Sequence, residues 1–316
     1  MGTSSRLAAV ALAGALLALS ACGSSSDGGD AAPPTTTTTA QPLEAPFDVD
    51  EVTTTFVDTS RPTNAGTETP AKPERTIRTR IVYPATGGPY PLLVLSHGAS
   101  GRPDEYAEQI PQWAADGFVI AAPAFPLTNG DVPGALANLG DVVYQPGDVS
   151  VVIDEVLAAG DDPDSPLHGL VDPEAIGVVG HSLGGATTWA VAFNTATRDD
   201  RIDSATVFAG LPLDMPDGEF AFGSGLPLLV LHGDADDVPI ELDRAAYDQA
   251  VSPKWFVTLH GADHRLAFTD EPSPWDELVT RTILDFWHGT LDGDAEALDR
   301  VTQDATDPDL ATVVHE

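Results

Sequence analysis

Lysine is almost missing from this sequence. Lys72 and Lys254 are the only two, and with arginine they make 14 basic residues against 49 acidic ones. The formal charge of −35 excludes a nucleic-acid binder, because neutralising a phosphate backbone needs clusters of Lys and Arg. The carboxylate excess reads as a heavily solvated exterior that resists aggregation, ahead of a surface tuned to cationic substrates. Cysteine occurs once, at Cys22, so no internal disulfide can form. Long apolar runs are lacking too: the run at residues 7–19 falls short of the roughly 20 residues that a permanent bilayer-spanning helix needs. What is present is a hydrophobic content of 42%, enough for a substantial core. The length suits one large α/β domain or two small ones.

The N-terminus has the layout of a targeting segment. Arg6 gives a short positive start, residues 7–19 are almost wholly Ala, Leu, Val and Gly, and Leu19-Ser20-Ala21-Cys22-Gly23 follows. That ending resembles the bacterial lipoprotein signal. The resemblance implies a signal peptide over 1–22, lipidation of Cys22 as the mature N-terminus, and export to the outer face of the cell membrane. Residues 23–47 are mostly Gly, Ser, Asp, Ala and Pro, with five consecutive threonines at 35–39. Such a segment buries too little apolar surface to offset its ordering entropy, so a disordered tether is expected.

Beyond the tether, β-branched apolar segments alternate with helical patterns. Strands are expected at 52–57, 76–83, 92–96, 118–122, 175–180, 205–209, 226–231 and 254–259. Helices are expected at 103–116, 148–159, 182–194, 242–250 and 275–287. Residues 123–145 have no clear period and are long for a connection, which suggests a lid or pocket loop. Strand and helix in alternation imply an α/β fold, a mostly parallel sheet with helices on both faces and its site at the strand carboxyl ends. The domain is expected over 48–290, with an acidic C-terminal tail over 291–316.

Gly180-His181-Ser182-Leu183-Gly184-Gly185 lies between an expected strand and an expected helix. A serine hydroxyl is a poor nucleophile unless it is presented beside a base. A sharp strand-to-helix turn presents it, but crowds the residues two before and two after, which here are glycines. The following N–H, that of Leu183, can then point at a developing oxyanion. On these residues the chain resembles the α/β-hydrolase family, in which the order is serine, acid, histidine. The resemblance implies that the acid lies in His232-Gly233-Asp234-Ala235-Asp236-Asp237-Val238-Pro239, where the family register selects Asp236 over its neighbours Asp234 and Asp237. It implies that the base is His264 in His260-Gly261-Ala262-Asp263-His264, with His260 as competitor. It also implies that Ser96-His97-Gly98-Ala99 supplies the second oxyanion donor, the N–H of Ala99. His97 and His181 are read as shaping the loop and the turn.

Residues 56–63, 78–85 and 145–150 look like bacterial proteins similar to platelet-activating-factor acetylhydrolases. That resemblance covers roughly residues 52–290. It implies a serine esterase or lipase that cleaves short acyl esters, on a lipid or otherwise, through an acyl-enzyme, with no metal or cofactor. Polyester hydrolases share the layout, and dienelactone hydrolases resemble the chain less because their nucleophile is cysteine. An acyltransferase and an inactive surface-binding lipoprotein are the competing readings. Phe125, Met215, Phe220, Phe222 and Phe268 are candidates for an acyl pocket, against the alternative that they are core. The expected partners are an ester and, through the anchor, a membrane; the expected state is a monomer.

Overall fold

The computed structural model describes residues 47–316, so the expected signal segment over 1–22, with Cys22, and residues 23–46 of the expected tether lie outside the described residues. The nine strands are β1 (Val49–Asp58), β2 (Arg75–Pro84), β3 (Tyr90–Ser96), β4 (Val119–Ala124), β5 (Val171–His181), β6 (Ser204–Phe208), β7 (Leu228–Gly233), β8 (Lys254–Leu259) and β9 (Ala311–His315). They form one sheet in the order β1-β2-β4-β3-β5-β6-β7-β8-β9. The stretch from β4 to β8 is parallel; β2 and β9 run against it, and the edge strand β1 pairs antiparallel with β2.

Each central strand alternates its side chains between two cores. Leu92 and Val94 of β3, with Leu228 and Val230 of β7, face one cluster; Leu93, Leu95, Leu229 and Leu231 face the other. The first cluster is covered by α2 (Gln145–Asp161), α3 (Leu183–Phe193) and α4 (Ile240–Tyr247). The second is covered by α1 (Gln109–Ala115), α5 (Asp276–Trp287) and α6 (Ala295–Asp304). Because both faces are buried, these strands read as continuous apolar runs. Among the described residues, no helix is long and apolar enough to cross a membrane.

Three expectations change. The helix expected at 103–116 is a short 3-10 turn at Pro103–Tyr106 followed by α1. The first N–H groups of α1 are capped from a distance, with Glu108 and Gln109 both donating to the Asp270 carboxylate. The segment at 123–145 is held into the fold: Arg75, fully buried, binds Asp141 of the segment and Asp148 just beyond it through both arms of its guanidinium, Gln145 donates to Thr128 within the segment, and Thr187 of α3 donates to the Gln145 side chain. Its second half carries a 3-10 helix, Ala135–Tyr144, kinked at Asn138, which runs into α2. The expected acidic tail is folded. Its α6 buries Ala297 and Val301, and β9 pairs with β8, so the domain continues past 290.

Candidate active site

Ser182 stands between β5 and α3 with φ 57° and ψ −116°. This is a left-handed, strained conformation for a serine, and the surrounding structure must over-determine it. Its N–H donates to the Phe208 carbonyl at 2.8 Å, which fixes the turn against β6. The glycines are required by contact. A Cβ on Gly180 would run into the Gly184 carbonyl, and one on Gly184 into the carbonyl of Ser96. Only a turn without these side chains lets α3 descend so close to β3.

The Ser182 hydroxyl lies 2.7 Å from His264 Nε2, and His264 Nδ1 lies 2.7 Å from Asp236 Oδ2. Three segments far apart in sequence thus meet at the carboxyl ends of β5, β7 and β8. The Asp236 carboxylate is fully covered and also accepts the Val238 N–H at 2.7 Å. Burial works against its charge, but bonds from His232, His264 and that N–H outweigh it and hold the carboxyl well below the usual range. The competing residues are engaged elsewhere. Asp234 accepts the Gly261 N–H at the surface, and His260 faces Thr312 on β9.

The oxyanion candidates flank the hydroxyl. Leu183 is the first residue of α3, a position whose N–H has no acceptor within the helix. The Ala99 loop passes directly over the serine: a Cβ on Gly98 would sit 3.4 Å from the Ser182 Cβ. The Gly98 carbonyl accepts from His97 Nδ1–H at 2.7 Å and from the Gly101 N–H at 2.9 Å. In a trans peptide the N–H points opposite to the C=O. Holding the Gly98 carbonyl on one side therefore aims the Ala99 N–H to the other.

His97 and His181 are buried and neutral, each with both ring nitrogens engaged. His97 Nε2 accepts the Phe125 N–H at 3.2 Å, which makes Nδ1 the donor. Burial lowers its pKa to about 4. His181 Nε2–H donates to the His264 carbonyl at 2.7 Å, tying the His264 loop to the serine turn. Its Nδ1 accepts from the Tyr106 hydroxyl at 3.3 Å. Burial, and then the nearby His264 ring, lower its pKa to about 3.

The pocket candidates divide. Phe125 and Phe268 are fully buried and Phe222 nearly so, which leaves them no surface to line an open pocket. Phe268 stacks on Phe208 and packs against the His181 ring; Phe222 packs on Trp189 and Phe193. Met215 and Phe220 are half-buried, with Phe220 stacked on Phe222. Sequence reasoning passed over His232, Asp243 and Tyr106. For His232 a signal existed, a polar residue closing the apolar run of β7; for Tyr106 there was none. Among the described residues, no three His, Cys, Asp or Glu side chains are grouped to hold a metal ion.

Compared with known proteins, residues 47–215 match the chlorophyllase family model. The match runs from β1 past β6 and takes in the Ala99 loop and Ser182, while Asp236 and His264 lie beyond it. No curated protein matches the chain. With more than half of its length matched and a sheet of the same fold, the chain belongs to the chlorophyllase family, a group of esterases of the α/β-hydrolase kind.

Proposed function

We propose that this protein is a serine carboxylic-ester hydrolase acting through an acyl-enzyme. The observation that carries the reading is the unbroken line Ser182–His264–Asp236, 2.7 Å at each link. His264 takes the Ser182 proton as the hydroxyl attacks the ester carbonyl. Asp236 holds the imidazole in the tautomer that leaves Nε2 free to accept, and stabilises the imidazolium that forms. The N–H groups of Ala99 and Leu183 receive the oxyanion, each worth about 2.7–4 kcal/mol to the transition state. Collapse expels the alcohol with the proton from His264, and water activated by the same base releases the acid.

Short acyl esters are the favoured substrates, since the aromatic residues near the site are committed to the core. A panel varying acyl length, alcohol and polymer state, with chlorophyll included because the family is named for it, tests this choice. Short p-nitrophenyl esters should turn over fastest, and a preference for long-chain, chlorophyll or polymer esters would overturn it. Export and lipid attachment at Cys22 rest on the signal-like sequence around it. Cys22→Ser should move the protein from the detergent phase to the aqueous phase, and unchanged partitioning would refute the anchor.

A further inference from the structure

Behind Asp236 stands a second histidine. His232, the penultimate residue of β7, is fully buried. Its Nδ1 lies 2.8 Å from Asp243 Oδ2 on α4, and its Nε2 lies 3.1 Å from the Val238 carbonyl and 3.3 Å from Asp236 Oδ2. With Asp243 ionised every group it faces is an acceptor, so both ring nitrogens then carry hydrogen; burial pushes the Asp243 carboxyl upward, and the bonds from His232 and Trp189 oppose that push. We propose that His232 is a positioning residue for the acid: a buried imidazolium, anchored by Asp243, that shares Asp236 with His264 and sets how much negative charge the base meets. The inference rests on the triad reading given above.

The charges around it can be named in full. On its own loop His232 faces Asp236, and on α4 it faces Asp243. Beyond Asp236 stands His264, from the loop after β8. From α3 the Trp189 Nε1–H donates to Asp243 at 3.2 Å, and the same N–H donates to the Gly210 carbonyl at 2.7 Å. Burial opposes the charge of His232, but Asp236 and Asp243 outweigh it and raise its pKa to about 9. The geometry has two consequences. Asp236 is gripped from both sides, by two imidazoles and a backbone N–H, so it cannot turn from His264. Part of its charge is also shared with His232, so less of it faces the His264 ring.

Removing the imidazolium should therefore make the base easier to protonate. In His232→Gln the acid limb of kcat/KM for a short p-nitrophenyl ester should move to higher pH, by about half a unit to one unit, with a lower kcat. In His232→Gln/Asp243→Asn, which leaves no buried carboxylate unpaired, the shift should keep its sign and be smaller. A residue that merely filled space would change Tm and leave the limb in place. An unmoved limb in a folded variant overturns the inference, and a limb moved to lower pH does the same.

Ring-nitrogen NMR of the unaltered protein decides the matter without any variant. The His232 ring should carry two N–H protons across pH 5 to 8, and a singly protonated ring there overturns the proposal. Failure of the triad itself is read separately, from Ser182→Ala. If that variant keeps full turnover, the triad reading falls and takes this inference with it. If it is dead and the limb is unmoved in the His232 variants, this inference falls alone.

Discussion

At the scale of single residues, the site depends on side chains that never touch a substrate. His97 is the clearest, because its Nδ1–H on the Gly98 carbonyl decides where the Ala99 N–H points. His97→Leu should lower kcat by about 10- to 100-fold with KM little changed, a fraction of what loss of a whole oxyanion donor costs. His97→Asn, which can still donate to that carbonyl, should recover most of the loss, as steady-state kinetics of the two variants will show. Equal kcat in His97→Leu and the unaltered protein would remove the aiming role. The Ser182 turn was legible because it demands glycines two positions to either side, and Asp236 and His264 were legible only through the order and register that the α/β-hydrolase resemblance implies. His232 was not, since a histidine at the end of a buried strand announces burial without naming the partner that folding brings to it.

At the scale of elements, what could be read depended on where the ordering force originates. The strands β3, β5, β7 and β8 were legible because both their faces are buried, which writes a continuous apolar run into the sequence. The start of α1 was not, because its cap is the Asp270 carboxylate, which lies 162 positions from Glu108. The end of the chain misled for a related reason. In α6 only Ala297 and Val301 are buried, so its composition reads as a solvated tail although it covers the second core. Deleting residues 293–316 should uncover Trp255 and the β8 edge and lower Tm by on the order of 10 °C, measured by calorimetry. The serine turn permits a sharper test. Gly184→Ala drives a methyl into the Ser96 carbonyl, a backbone atom that cannot step aside. It should cost about 3 kcal/mol or more in denaturant unfolding, and a near-neutral result would contradict the close approach of α3 to β3.

At the scale of the whole molecule, four buried or half-buried histidines give stability a defined pH dependence. His97 and His181 are held neutral, with pKa values of about 4 and 3. The unfolded chain therefore binds more protons below pH ~6.5, and stability falls as pH drops from there toward those values. His232 and His288 are held charged, both near 9; burial opposes this, and their carboxylate partners, Asp236 and Asp243 for one and Asp116 and Asp292 for the other, outweigh it. Their contribution is complete below pH ~6.5 and is lost as pH rises through 9. The two pairs pull in opposite directions, so Tm should peak between about pH 6 and 7 and decline on both sides. A Tm still rising at pH 8 would contradict the charged state assigned to His232 and His288. The central claim, that Ser182 is the nucleophile of an ester hydrolase, is tested most directly by trapping it. A fluorophosphonate probe followed by peptide mapping should place a single stoichiometric adduct on Ser182, blocked by a short ester and absent from Ser182→Ala. An adduct on another residue, or none while ester hydrolysis persists, would contradict the account.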